Sequence, residues 1–285
     1  MLSILIVNWN TCEYLRRCLR SISEHAPNVP LQVVVVDNAS SDGSAEMVRA
    51  EFPWVELEAS DKNLGYAAGN NVAFAMAKGV CQLTLNADTE FFDDSLQVAV
   101  DFMKVRTGVG VLAGKLLDAN RRTVQHSMRS FPTPGVILPE MFGLAKLFPK
   151  KFGGYRQMNF DYSREGEAEQ PMGSFLLFRK AALNEVGAMD ERFPIVFSDV
   201  DFLFRLNNAG WQIWYSPHVK LIHHGGRSTK QIPKAMIWES HRSLIRYYWK
   251  WYRTWWSAPL LVLFGGIVWL GAFVRARGWN AGFRP

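Results

Sequence analysis

The chain has 285 residues, 48% hydrophobic and 20% charged, which is enough apolar material for one large core or two smaller ones and excludes an intrinsically disordered protein. The formal net charge is +6, with the cationic excess concentrated after Lys230, so a phosphate-bearing ligand or an anionic lipid surface is expected. Nucleic acid fits poorly, because the basic excess adjoins an apolar segment instead of a polar groove-reading element.

The first apolar run, residues 3–7, has no basic residue before it and is cut short by Asn8, Trp9 and Asn10, so it is a strand and not a signal peptide. A helix over 12–25, a strand over 32–36, a helix over 44–52 and a strand over 55–59 follow. Then come a helix over 67–78 and a strand over 81–85. This alternation predicts an α/β fold, a doubly wound, mainly parallel sheet with its ligands at the carboxyl ends of the strands. The polar residues gather there: Asn8 and Asn10, Asp37 and Asn38, Asn63 with the turn residue Gly65, and Asn86 with Asp88. Residues 131–171, rich in Pro, Gly and Lys, are expected to form a mobile lid, with one short amphipathic helix over 137–148. A strand over 173–178, helices over 180–186 and 200–209, and a strand over 212–215 complete the pattern. The cysteines, Cys12, Cys18 and Cys81, have neither CxxC nor metal-finger spacing, so a reducing cytoplasm is the simplest home.

Beyond Pro233 the composition changes. An aromatic and basic stretch, 242–256, precedes seventeen uncharged residues, 258–274, bracketed by Arg253 and by Arg275 and Arg277. With 254–257 included, a helix at about 1.5 Å per residue reaches across a hydrocarbon core of about 30 Å. Trp255, Trp256 and Trp269 suit the membrane interface. A buried core helix is the alternative. Membrane contact is the expectation, with spanning and lying in the interface both open.

The clusters that carry chemistry sit at strand ends. In VVVVDNASSDGS, Asp37 ends a buried strand, where its carboxylate either accepts from a base or ribose of a nucleotide or belongs to a loop capped by Ser40 or Asp42. In LTLNADTE, Asn86 and Asp88 are two oxygen-bearing side chains one residue apart, a spacing that holds a hard divalent cation against a diphosphate. In FSDVDFLFR, Asp199 and Asp201 open an amphipathic helix. One of them fits a structural capping role, assigned to Asp201, and Asp199 fits a general base. In LIHHGGRST, the glycines expose adjoining imidazoles as a metal ligand or phosphate contact.

In this order, SILIVNWNT, VVVVDNASSDGS, NLGYAAGNN, LNADTE, MGSFLLFRKAALNEVGAMDERF, SDVDFLFRL and HHGGRS resemble the family 2 inverting glycosyltransferases of the GT-A fold, nearest to rhamnosyltransferase-like members, over about residues 2–230. The resemblance implies that Asn8, Asn10, Asp37, Asn38, Asn63, Gly65 and Asn86 bind the nucleotide-sugar. It implies that Asp88, the retained acid of the family's D-x-D, and His223, in H-x-x-G-x-S, hold Mg2+ or Mn2+, and that Asp199, second of the family's E-D pair, is the catalytic base. Two departures stand out: Asn86 occupies the first acid position and Ser198 the Glu position before the base. The implied organisation is a donor-binding half (1–125), an acceptor-binding and catalytic half (126–233) and a membrane-associated segment (234–285). The implied partners are a nucleoside-diphosphate sugar, a lipid-linked or glycan acceptor and the cytoplasmic face of the cell membrane. A catalytically silent donor-binding subunit of a polysaccharide assembly complex is the alternative. A nucleotidyltransferase would require a Gly-rich basic loop after the first strand, and NWNTCEYLRR is not one.

Overall fold

The computed structural model describes residues 1–141, 143–148 and 154–278; Phe142 and 149–153 of the expected lid, and 279–285 of the terminal segment, lie outside the described residues. Strands β1 (Leu2–Asn8), β2 (Leu31–Asp37), β3 (Glu56–Ala59) and β4 (Cys81–Asn86) pair in parallel, connected through α1 (Cys12–Glu24), α2 (Ser44–Glu51) and α3 (Gly65–Met76). The uninterrupted apolar runs of β1 and β2 are what a sheet covered on both faces requires. Ile4, Ile6, Val33 and Val35 pack under Leu15, Leu19 and Ile22 of α1, and Leu5, Val34 and Val36 meet Ala73 of α3 on the other face.

The sheet continues through β5 (Thr89–Glu90), β6 (Val109–Leu117), β8 (Gly166–Glu167), β10 (Phe175–Arg179) and β11 (Gln212–His223) in the order β3-β2-β1-β4-β10-β6-β11-β5, with β8 on β11. β10 lies antiparallel between β4 and β6. Its reversal brings the residues preceding it, Gly173 and Ser174, beside the carboxyl end of β4, where the Asn86 amide donates to the Ser174 carbonyl at 3.1 Å. β7 (Met128–Arg129) and β9 (Gln170–Pro171) form a separate ribbon.

Three features depart from the sequence reading. Helix α4 (Ser95–Val105) and β6 were not anticipated, although α4 packs Leu96, Ala99 and Met103 into the main core. β11 runs to His223 instead of stopping at Tyr215. Pro217 sits in the register shift between Ser216 and Lys220, the one kind of strand position where a missing N–H is tolerated, and pairing with β6 resumes beyond it. The helix expected over 137–148 is broken by Gly143, at φ 73°, into α5 (Pro134–Met141) and α6 (Leu144–Leu147), and the expected lid is anchored by the buried Ile137 and Tyr155.

On the α3 side of the sheet, α7 (Lys180–Val186) and α8 (Ser198–Asn208) pack through Ala182, Leu183, Phe202 and Leu206. The chain then forms an antiparallel hairpin of α9 (Pro233–Trp251) and α10 (Ala258–Ala276), joined to α5 and α8 by Ile137, Val200, Leu244, Tyr247 and Phe264. An ionic cluster fixes that junction. The fully buried Asp201 carboxylate accepts from Arg205 at 3.1 Å, Trp251 at 2.8 Å and Lys250 at 2.7 Å, and Lys250 also reaches Asp190 at 2.8 Å. The Arg192 guanidinium, followed by Lys250, holds the Asp190 carboxyl below the usual carboxylate range. Removing one partner of a buried pair leaves the other charge uncompensated. Lys250→Met is therefore expected to lower the unfolding free energy by about 3 kcal/mol, read as a lower midpoint in urea; an unshifted midpoint would show that the cluster does not hold the hairpin.

Candidate active site

A cavity of about 1010 Å³ opens where the carboxyl ends of β1, β4 and β11 meet the amino-terminal approach to β10. One stretch of its wall includes Trp9, Asn38, Asn63 and Gly65. The turn into α3 explains that wall. Asn63 Oδ1 accepts from the Gly65 amide at 2.9 Å, and Gly65 holds φ 82° with the Pro194 carbonyl oxygen only 2.6 Å from where a Cβ would stand, so no other residue fits. The Gly65 carbonyl accepts from Asn38 Nδ2 at 2.9 Å, while Asn38 Oδ1 is buried without a partner.

Asn8, Asn10 and Asp37 are not in the cavity wall; they build the support behind it. Asp37 Oδ1 accepts from Asn8 Nδ2 at 2.8 Å and from the Ser40 hydroxyl at 2.7 Å, and Oδ2 accepts from the Ser40 amide at 2.9 Å. Asn8 Oδ1 accepts from Thr11 at 2.6 Å, and Asn10, at φ 51°, accepts from the Ser41 amide at 2.8 Å. The sequence reading placed these three against the nucleotide. In this structure Asp37 turns both carboxylate oxygens to Ser40 and one also to Asn8.

The floor is formed by Asn86, Asp88 and His223. Asp88 Oδ1 lies 3.5 Å from His223 Nε2, and Asp88 Oδ2 accepts from the Arg227 amide at 3.1 Å. Gln125 sets the imidazole's tautomer. Its Nε2 donates to Asp118 at 2.8 Å and to the His223 carbonyl at 2.7 Å, which turns its Oε1 to His223 Nδ1 at 2.8 Å. Nδ1 therefore carries the proton and Nε2 presents a lone pair to the Ser174 hydroxyl, 3.2 Å away. Burial holds the imidazole's pKa below its ordinary value, outweighing the opposing pull of Asp88. His224 instead turns to Glu90 at 2.7 Å. Arg227, stacked over Tyr14, and Lys230 add positive charge to the wall.

Asp199 stands across the cavity at the start of α8. Its Oδ2 accepts from the Gly173 amide at 3.1 Å and Oδ1 from the Val200 amide at 2.9 Å. Burial pushes its pKa above the ordinary carboxylate value despite those donors. Ser198 is fully buried, with its hydroxyl near the Ile195 carbonyl at 3.4 Å. Sequence reasoning missed Ser127, Arg129, Tyr155 and Gln170, which line the same side. Ser127 Oγ and Gln170 Oε1 are buried without hydrogen-bond partners, and only their unsatisfied burial marks them.

The arrangement gathers a carboxylate–imidazole pair, a cationic rim and a second, buried carboxylate in one cleft large enough for an extended polar ligand. The family model for glycosyl transferase family 2 matches residues 3–187. The chain belongs to glycosyl transferase family 2. An N-acetylglucosaminyl-diphospho-decaprenol L-rhamnosyltransferase of Mycobacterium tuberculosis is 29% identical over 278 residues, covering 91% of this chain and 88% of the relative. Among solved structures, the mannosyltransferase PcManGT from Pyrobaculum calidifontis, in complex with GDP-Man and Mn2+, superposes with a TM-score of 0.58 at 16% identity over 98% of this chain and 76% of that one. TarS 1–349 of S. aureus in complex with UDP superposes with a TM-score of 0.54 at 18% identity over 97% and 81%. The fold is GT-A.

For this family 2 glycosyltransferase, the glycine packed against the buried carboxylate is Gly173, where a Cβ would lie 2.8 Å from Asp199 Oδ2. Gly173→Ala displaces that carboxylate, and misplacement of a reacting group by about 1 Å costs about 100-fold. The expected outcome is that loss in turnover with thermal stabilisation by nucleoside diphosphate retained; wild-type turnover would mean that the Gly173–Asp199 contact is not part of the machinery.

Proposed function

We propose that the protein transfers a sugar, L-rhamnose in the first instance, from a nucleoside-diphosphate donor to a hydroxyl of a polyprenyl-diphosphate-linked glycan at the cytoplasmic membrane surface, inverting the anomeric configuration. The observation that carries the reading is one cavity lined by Asp199 together with the Asp88–His223 pair and its cationic rim. The mycobacterial relative's name supports the sugar and the acceptor class.

Asn38, with an unpaired carbonyl oxygen in the donor wall, accepts from the base or ribose; Asn63 and Gly65 shape the pocket beside it. Arg227 and Lys230 draw the diphosphate towards Asp88. Asp199 removes the proton from the acceptor hydroxyl as that oxygen attacks opposite the leaving diphosphate. Ser127 and Gln170 offer their unpaired polar atoms to sugar hydroxyls. Ser198 points its hydroxyl at a backbone carbonyl, so its replacement of an acid leaves Asp199 and its two donors in place.

A divalent cation, Mg2+ or Mn2+, fits this site as a ligand-completed one. Among the described residues no group of three or more His, Cys, Asp or Glu gathers to hold a metal. Asp88 and the unprotonated Nε2 of His223 are two suitable donors, and such ions take their remaining ligands from substrate phosphates and water. When bound, the cation stabilises negative charge on the leaving diphosphate. Gln125 orients His223, and loss of such a support costs about 10- to 100-fold in metal affinity. Gln125→Leu should raise the half-saturating manganese concentration by about that factor in a donor-hydrolysis assay, with unchanged manganese dependence counting against the assignment.

Asp199→Asn is expected to reduce transfer by at least about 100-fold while donor binding persists; transfer at the wild-type rate sinks the base assignment. The base must be ionised, and its pKa is raised by burial, so the acid limb of kcat/KM should lie above the ordinary carboxylate range. The linkage has the same origin. A raised folded pKa means that the ionised form opposes folding, increasingly as pH rises through that value, so the Asn variant should not melt lower than wild type near neutral pH.

A further inference from the structure

We infer that the α9–α10 hairpin is an in-plane anchor, with α10 lying along an anionic bilayer surface and not crossing it. The inference deepens the membrane-surface part of the proposed function and rests on it.

Helix α10 is apolar on all sides, with a mean hydropathy of 1.8, yet only one stripe is covered: Phe264, Gly265, Val268 and Ala272 pack against α9. The opposite face is exposed, Val262 at 66%, Leu263 at 64% and Leu270 at 64%, with Leu260 and Phe273 beside them. A soluble core helix does not leave such a face uncovered. From Ala258 to Val274 the helix carries no polar or charged side chain, so water supplies no partner along its exposed face and hydrocarbon needs none. Trp255, 90% exposed, and Trp256 stand with Arg253 at one end, and Arg275 and Arg277 stand at the other, the residue types that sit at headgroup level. From Pro233 to Gly278, with Lys250 taken up by Asp190 and Asp201, six Lys or Arg (Lys234, Arg242, Arg246, Arg253, Arg275, Arg277) outnumber one acid, Glu239, an excess that complements anionic lipid.

Packing against α9 excludes a span. α9 lies beside α10 from Tyr248 on Phe264, ring centroids 4.5 Å apart, to Trp238 on Trp269 at 5.1 Å. α9 is in turn bound to the catalytic part through Arg246, which donates to the Arg192 carbonyl at 2.7 Å, and through Lys250 to Asp190 and Asp201. Crossing by α10 would carry Glu239, Arg242 and Arg246 into hydrocarbon with it, or strip α9 from the domain. Lying flat requires neither, and it presents the uncovered face to the acyl boundary. Because Ile232 and Met236, at the start of α9, line the cavity, the anchor also holds the cavity mouth beside the lipid.

The test uses the full chain, vesicles of phosphatidylcholine with or without phosphatidylglycerol, and a paired nucleotide readout. The wild type should float with the anionic vesicles. The exposed-face double variant Leu263→Glu/Leu270→Glu should bind them at least about tenfold more weakly, with thermal stabilisation by nucleoside diphosphate unchanged. Separately, Arg253→Cys and Arg277→Cys, in a background with Cys12 and Cys81 replaced by Ser, should both be labelled by an impermeant maleimide in sealed inside-out membrane vesicles. Labelling of one without the other means a span and overturns the inference. So does vesicle binding that ignores the double variant, or a stable dimer through this face that vesicles do not disperse. A wild type that floats but is not stabilised by any nucleoside diphosphate would sink the functional reading and leave the anchor standing.

Discussion

The site depends on the backbone of Gly173 passing against the Asp199 carboxylate, its amide donating at 3.1 Å and only 2.8 Å separating Asp199 Oδ2 from the place a Cβ would take. For that contact to exist, β10 must run against its neighbours, so that the residues before it arrive at the edge where the parallel strands end. α8 must also begin abruptly, with Phe197 at φ 67° and buried, so that its first-turn amide at Val200 donates to the other oxygen. The two backbone donors orient the Asp199 carboxylate and favour its anion, and burial outweighs them, so its pKa stays above the ordinary carboxylate value.

The polar residues at the strand ends divide into two kinds, and the division follows from hydrogen-bond accounting. Asn8, Asp37 and Ser40 satisfy one another behind the wall, and Thr11, itself in the wall, donates to Asn8. Asn38, Ser127 and Gln170 retain buried atoms without partners, an expense that a folded chain tolerates where a ligand completes the bonding. His223 falls between: Gln125 fixes one nitrogen, and the other is lightly held by a hydroxyl.

The first half of the fold was legible because β1 and β2 are almost wholly apolar, β4 alternates Leu83 and Leu85 with Gln82 and Thr84, and the strands are separated by helices with clear punctuation. α4 carries its buried residues at helical spacing between Gln97, Asp101 and Lys104, a pattern the reading passed over, and β6 is a mostly apolar run that periodicity alone does not assign to strand or helix. Pro217 masked the second half of β11, the part that carries His223 to the cavity. Within the site, Asn38, Asn63, Gly65, Asn86, Asp88, Asp199 and His223 meet in one cavity, as strand-end placement suggested. Asn8, Asn10 and Asp37 share that placement but point into the support, and alternation alone does not reveal which way a loop side chain turns. Ser127, Arg129 and Gln170 were invisible because they lie in or beside two-residue strands, too short for a pattern.

Asp199 and Asp201 show how one short stretch serves two ends. Two residues apart on a helix of 3.6 residues per turn, they point about 200° from each other. Asp199 faces the cavity, and Asp201 faces α9, where Lys250, Arg205 and Trp251 enclose it. The helix that carries the base is thus clamped from behind by the hairpin that carries the exposed apolar face. Because Lys250 also binds Asp190, a shift of α9 relative to the domain strains both ends of that clamp. Asp199 and the hairpin with its exposed apolar face are therefore joined through the same buried ions that hold α8 in place.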